Sequence, residues 1–200
     1  VTYASNFTDI NPKIIKAAEE LGITEREVAN KFISAYLKDL ENYQCGKIDV
    51  HPTVIENLDN IYTFIQKLIE KGFAYEVDGD VYFRVSKIKD YGCLSNNTLS
   101  ELESGARLEI DEKKEDPLDF ALWRKSTEGE HFTSPWGEGI PGWHTECVVM
   151  INSLFGKKID IHGGGVDLKF PHHENEIAQS MALNNNHLAT FWMHNGHINV

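Results

Sequence analysis

The sequence predicts an α/β protein whose sheet is split by an inserted α+β module, and three observations carry that expectation. Helix and strand patterns alternate from Pro141 onward, paired helix caps punctuate the first 50 residues, and the stretch between them reads differently. Residues 1–50 and 140–200 are therefore expected to be two parts of one α/β unit, with residues 51–139 inserted between them.

Taken in order, Val1 to Ala4 reads as a buried strand. Asn11 followed by Pro12 is a cap plus a first-turn proline, and Gly22 is a natural stop for the helix they open. Thr24 and Glu27 form a capping box for a second helix, whose apolar positions Val28, Phe32, Ile33, Tyr36, Leu37 and Leu40 recur at helical spacing and are expected in the core. A third helix is expected from Thr53, where Glu56 would complete another box, through Ile61, Ile65 and Leu68 to Gly72. FAYEV and VYFRV flank Asp78-Gly79-Asp80, a β-hairpin signal.

Beyond Pro141, WHTECVVMINSLF up to Gly156 reads as a helix, KKIDI as a short strand, the stretch after Pro171 as a helix and ATFWMH as a strand. Such alternation predicts parallel strands.

Composition narrows the class of protein. Of 200 residues 41% are hydrophobic, enough to bury a core, and no apolar run approaches a membrane span. Three cysteines at irregular spacing (Cys45, Cys93, Cys147) argue against a disulfide framework and for a reducing, cytoplasmic setting. Net charge is −12, and residues 51–139 carry 10 basic against 18 acidic side chains, so the chain alone is expected to grip RNA weakly. The opening Val-Thr-Tyr-Ala has neither an initiator Met nor a signal peptide, as expected of a piece cut from a longer protein.

The densest chemistry lies between Trp143 and Glu176. Cys147, His172 and Glu176 supply a thiolate, an imidazole and a carboxylate, with His172 and Glu176 four apart on one helical face. Sulfur, nitrogen and oxygen together suit zinc, whereas calcium and magnesium demand oxygens, and three ligands make an open site. Spacing alone equally admits a buried core thiol beside a decorated surface helix, because HHENE is not HExxH and the chain has nine histidines. Gly163, Gly164 and Gly165 would let a ligand approach bare backbone just past a strand's C-terminal end, with Asp167 available to ribose hydroxyls. A flexible strand-to-helix turn fits the glycines equally well.

PGWHTEC (Pro141 to Cys147), DIHGGGVDLKFPHHENEIAQS (Asp160 to Ser180) and FTDINPKI (Phe7 to Ile14) together resemble cysteinyl-tRNA synthetases, a class I aminoacyl-tRNA synthetase family. The resemblance extends through DPLDFALWRKS and the SPWG loop to nearly the whole chain. It implies a Rossmann-like parallel sheet interrupted by an inserted connective module. It also implies zinc held by Cys147, His172, Glu176 and a further cysteine upstream, with the substrate's thiolate joining the metal. Thr8, Trp143 and His162 match residues lining the cysteine pocket, and Gly163, Gly164, Gly165 and Asp167 match the ATP-binding stretch. His144, His173, His194 and His197 are expected to have structural or supporting places without binding metal themselves.

The reaction so implied joins L-cysteine to tRNA(Cys) with ATP and magnesium as co-substrates. Zinc would discriminate cysteine from serine: a thiol of pKa roughly 8.5 becomes a thiolate on a cation more readily than a hydroxyl ionises. A pocket relying on shape separates such close analogues by only about 1–3 kcal/mol. No residue is expected to act as a catalytic nucleophile, since adenylation depends on positioning and charge stabilisation. The HIGH and KMSKS signatures would lie before Val1 and beyond Val200, so the isolated chain is expected neither to activate cysteine nor to hold zinc tightly. Other readings are an ATP-dependent ligase joining cysteine to an amino sugar, as in mycothiol synthesis, a zinc hydrolase, and a silent binding module.

Overall fold

The computed structural model describes residues 1–96 and 111–197. Residues 97–110, within the stretch expected to be an insertion, lie outside the described residues, as do residues 198–200.

The capping signals place the first helices as expected. α1 (Pro12–Leu21) starts where the Asn11 side chain accepts the Lys13 N–H and ends at Gly22, whose φ of 66° is left-handed. α2 (Glu25–Asn42) opens on the complete Thr24/Glu27 box. Its apolar stripe departs from expectation: Val28 is buried, but Phe32 is 59% and Leu37 42% exposed. The reason is that α1 packs along α2 while the rest of the stripe borders an open groove of about 560 Å³ shared with Ser5–Thr8 and α1.

The first residues do not form the expected buried strand either. Val1 and Tyr3 are exposed, and pairing is confined to isolated parallel bridges, Ala4 with Val50 and Phe7 with Thr53. With no strand beyond them, these residues stay at the surface.

α3 (Leu58–Glu70) follows a 3₁₀ turn at Ile55–Asn57. Thr53 Oγ1 accepts the Glu56 N–H at 3.3 Å, and the buried Asp9 carboxylate accepts the Val54 N–H at 2.8 Å and the Ile55 N–H at 3.3 Å. Ile61, Ile65 and Leu68 are fully buried, each worth about 1.5–3 kcal/mol of transfer energy.

Five strands form an antiparallel sheet in the order β1-β2-β3-β5-β4: β1 (Ala74–Val77), β2 (Asp80–Phe83), β3 (Phe120–Lys125), β4 (Phe132–Ser134) and β5 (Gly137–Pro141). Asp78 and Gly79, both with positive φ, make the expected two-residue hairpin. The larger sheet is thus antiparallel, and all of it but the end of β5 lies within residues 51–139.

Apart from those isolated bridges, the parallel pairing among the described residues is that of β6 (Ile159–Gly165) with β7 (Ala189–Asn195). Between these sheets run α4 (Trp143–Phe155) and α5 (Glu174–Asn184). Glu146 in the first turn of α4 suits the positive helix end, and Gly156 at φ 81° ends it. One continuous core joins α3, the antiparallel sheet, α4 and α5, through residues such as Ile65, Trp123, Val148 and Ala178. The class is α/β, with its parallel part reduced to two strands among the described residues.

Two local corrections matter for the site. Gly163–Gly165 are not a loop past a strand end but the last three residues of β6, because Gly163, Gly164 and Gly165 continue the register opposite Met193, His194 and Asn195. The helix after Pro171 begins at Glu174, preceded by a turn over Lys169–His173 in which Phe170 is extended.

Candidate metal and substrate site

Three elements converge at one end of α5. The first turn of α4 brings Trp143, His144 and Cys147, β6 brings His162, and the entry to α5 brings His172, His173 and Glu176. α4 and α5 are locked together by Gln179, whose Nε2 donates to the His144 carbonyl at 2.7 Å and to the Asn175 carbonyl at 3.0 Å.

Cys147, His172 and Glu176 each present a ligand atom, all within 4.8 Å of one another. Their other polar atoms are already engaged. His172 Nδ1 meets His144 Nδ1 at 3.0 Å, and Glu176 Oε2 meets His162 Nε2 at 2.6 Å. This leaves His172 Nε2 facing Glu176 Oε1 at 3.0 Å, and that buried oxygen receives no well-formed hydrogen bond. An imidazole nitrogen, an unsatisfied carboxylate oxygen and a thiol sulfur turned toward a common point fit a zinc ion. A second group, His162, His173 and Glu176, meets the same 4.8 Å limit and shares Glu176, so both belong to one pocket.

Electrostatics follow from enclosure. Burial alone would raise the Glu176 carboxyl, yet the adjoining His162 and His172 imidazoles hold it below the ordinary range. Burial pushes the Cys147 thiol well above its usual value, with the Glu176 and Glu146 carboxylates adding to the rise, so a cation is what would convert it to thiolate. Burial lowers His144 to about 3 and His173 to about 4, which keeps both imidazoles neutral. Glu146, beside Cys147 in sequence, is pushed well up by burial and then by Asp9, and its Oε2 has no partner.

Among the expected substrate residues, Trp143 and His162 stand at this pocket. The Trp143 ring, 44% exposed, stacks on His172 with centroids 4.2 Å apart. His162 lies 4.7 Å from the His173 ring and 4.8 Å from Trp192. Thr8 instead lines the groove beside α1 and α2.

Gly164 of β6 permits a close approach: a Cβ there would stand 3.0 Å from His173 Cε1 and 3.0 Å from Leu168 Cδ1. Asp167 is exposed in the turn that follows β6. Supporting contacts that spacing did not indicate are the His144–His172 pair and the 2.8 Å approach of His173 Nδ1 to His194 Nε2. His144 sits one residue after Trp143 and three before Cys147 on α4, a helical neighbourhood that signals proximity, whereas His194 is brought in only by β6–β7 pairing.

No helix among the described residues is long and apolar enough to cross a membrane.

Comparison with known proteins places the chain in a family. The family model for the class I (C) tRNA synthetase catalytic domain matches residues 1–200. The cysteine–tRNA ligase of Anoxybacillus flavithermus (strain DSM 21510 / WK1) is 58% identical over the whole chain, which covers 43% of that protein. That of Bacillus cereus (strain AH187) is 55% identical with the same coverage. A solved structure from Campylobacter jejuni, assigned as an arginyl t-RNA synthetase, aligns over 86% of this chain and 30% of its own with a TM-score of 0.53; at 16% identity it speaks for the fold alone. The chain spans 43% of the length of the curated relatives it matches. It belongs to the family of class I (C) tRNA synthetase catalytic domains.

Proposed function

We propose that the full-length protein activates L-cysteine with ATP and transfers it to tRNA(Cys), and that this chain supplies the pocket that recognises the cysteine side chain. The observation that carries the reading is the convergence of Cys147, His172 and Glu176 within 4.8 Å. These three residues would hold zinc, which when bound supplies a thiophilic Lewis acid that favours the substrate's thiolate over a serine hydroxyl.

The remaining roles fall to this chain's own groups. His162 holds Glu176 Oε2 through its 2.6 Å contact, and His144 occupies the far nitrogen of His172 at 3.0 Å, so both candidate ligands are oriented before substrate arrives. Trp143, half-exposed over His172, covers the pocket and excludes water from it. Gly163, Gly164 and Gly165, with Asp167 after them, form the backbone surface for ATP, which enters with magnesium, and Thr8 lines the approach from the N-terminal segment. Residues 1–50 and 140–200 make the catalytic unit and residues 51–139 the connective module, in a protein that works in the cytoplasm with its tRNA.

The test is transfer of labelled cysteine to tRNA by the full-length protein, with Cys147→Ser in parallel. Charging that collapses in the variant supports the synthetase and the metal site together. Activation of cysteine without transfer to tRNA would instead favour a ligase acting on an amino sugar. No cysteine activation by the parent would overturn both.

A further inference from the structure

The turn that leads into α5 does more than present His172 and Glu176. Between them lies Glu174, fully buried, whose side chain turns away from the pocket toward the inserted segment. Its Oε2 accepts the Gly92 N–H at 3.0 Å, and its Oε1 accepts the Ser95 N–H at 2.6 Å and the Ser95 hydroxyl at 3.2 Å. The next residue, buried Asn175, accepts the Tyr91 hydroxyl at 2.6 Å. Two consecutive helix residues are thus bonded to one loop, Tyr91–Ser95, nearly 80 or more positions away in sequence.

Both oxygens of this buried carboxylate accept donors from the one loop. Gly92 has φ of 96°, which lets its N–H face the carboxylate, and Ser95 Oγ also lies 3.3 Å from the Gly92 carbonyl, closing the loop on itself. Removing a partner from such a charge-assisted set costs more than it would for an exposed pair. Glu174 and Asn175 lie between the candidate ligands His172 and Glu176 in the chain, so any tilt or fraying of this turn displaces His172 and Glu176 from Cys147 together.

We propose that Glu174 is a positioning residue that ties the loop Tyr91–Ser95 to the metal-holding turn, so that order in the loop and metal affinity at Cys147, His172 and Glu176 are thermodynamically linked. The inference rests on the metal reading above. The linkage is reciprocal: metal held by the turn stabilises the bonds that Glu174 makes to Gly92 and Ser95, and loss of those bonds weakens the metal site by the same factor.

The experiment uses the full-length protein and Co²⁺ as probe, read by its thiolate-to-cobalt absorption, with amide hydrogen exchange followed at Gly92 and Ser95. Glu174→Gln sets an NH₂ against a backbone donor and is expected to weaken Co²⁺ binding about tenfold, the size seen for outer-shell partners. Tyr91→Phe and Ser95→Ala leave α5 untouched, are expected to weaken it severalfold, and serve if the Gln variant does not fold. In the parent, saturating Co²⁺ should slow exchange at Gly92 and Ser95, and this protection should vanish in Glu174→Gln. Folded variants that bind Co²⁺ within twofold of the parent, or exchange indifferent to metal, would overturn the linkage while leaving the metal site standing. A parent that binds no Co²⁺ would overturn both.

Discussion

Nε2 of His172 and Oε1 of Glu176 face each other at 3.0 Å across a single helical turn, while each residue's remaining polar atom is held by a histidine from another element. Two groups that could simply neutralise one another are instead pre-oriented by His144 and His162, with the Cys147 sulfur completing the set.

Removing the sulfur should therefore remove the metal. Cys147→Ser in the full-length protein is expected to lower metal affinity by more than about 100-fold, since loss of even an outer-shell partner costs about 10–100-fold. Metal content after dialysis against a mild chelator checks this: near-stoichiometric metal in the variant would refute the role given to Cys147.

His162 is expected to matter for stability as well as for substrate. In His162→Ala the buried Glu176 Oε2 loses its partner at 2.6 Å, at a cost of about 1.5–3 kcal/mol for a hydrogen bond to a charged group. Metal-free denaturant titrations of parent and variant measure it, and an unchanged midpoint would count against the orienting contact.

Gly142, at the entry to α4, has no room for a side chain. Its N–H donates to the Leu122 carbonyl at 2.8 Å, and a Cβ would collide with the Ala121 carbonyl oxygen. Gly142→Ala is expected to cost about 1–3 kcal/mol by forcing α4 off β3. Because α4 carries Cys147, thermal stability and metal affinity should fall together.

Acid should loosen the fold around Asp111 and Glu115, carboxylates whose folded values are depressed. The Tyr82 hydroxyl, 2.6 Å away, holds Asp111 below its ordinary value, and Arg84, donating at 2.7 and 2.8 Å, does the same for Glu115. A depressed folded value means the stabilisation is fully present above the unfolded values of about 4 and is lost as pH falls through the folded ones. Thermal melts from pH 7 down to pH 2 should show a shallower acid decline in Glu115→Gln than in the parent, with the variant already less stable at neutral pH.

Local signals proved readable where a single residue type settles a backbone choice. Asn11, Thr24, Gly22 and Gly156 mark helix ends because side-chain acceptors and left-handed glycines act within one turn. Asp78-Gly79 marks a hairpin for the same reason. The i, i+4 spacing of His172 and Glu176 likewise places two candidate ligands together without any knowledge of the fold.

What only the tertiary structure decided involves partners distant in sequence. Whether Phe32 and Leu37 are core depends on what packs over α2, and periodicity cannot say that part of the stripe borders an open groove. The glycines of β6 read as a loop because their pairing with Met193–Asn195 is nonlocal. Cys147 meets His172 because α4 and α5 pack side by side, held by Gln179, and Glu174 meets Ser95 because the loop Tyr91–Ser95 folds back on α5. The sequence by itself determined the residue chemistry and the local turns; packing decided which of those residues share a pocket, because proximity across 25 to 80 residues is set by the whole core and not by any local preference.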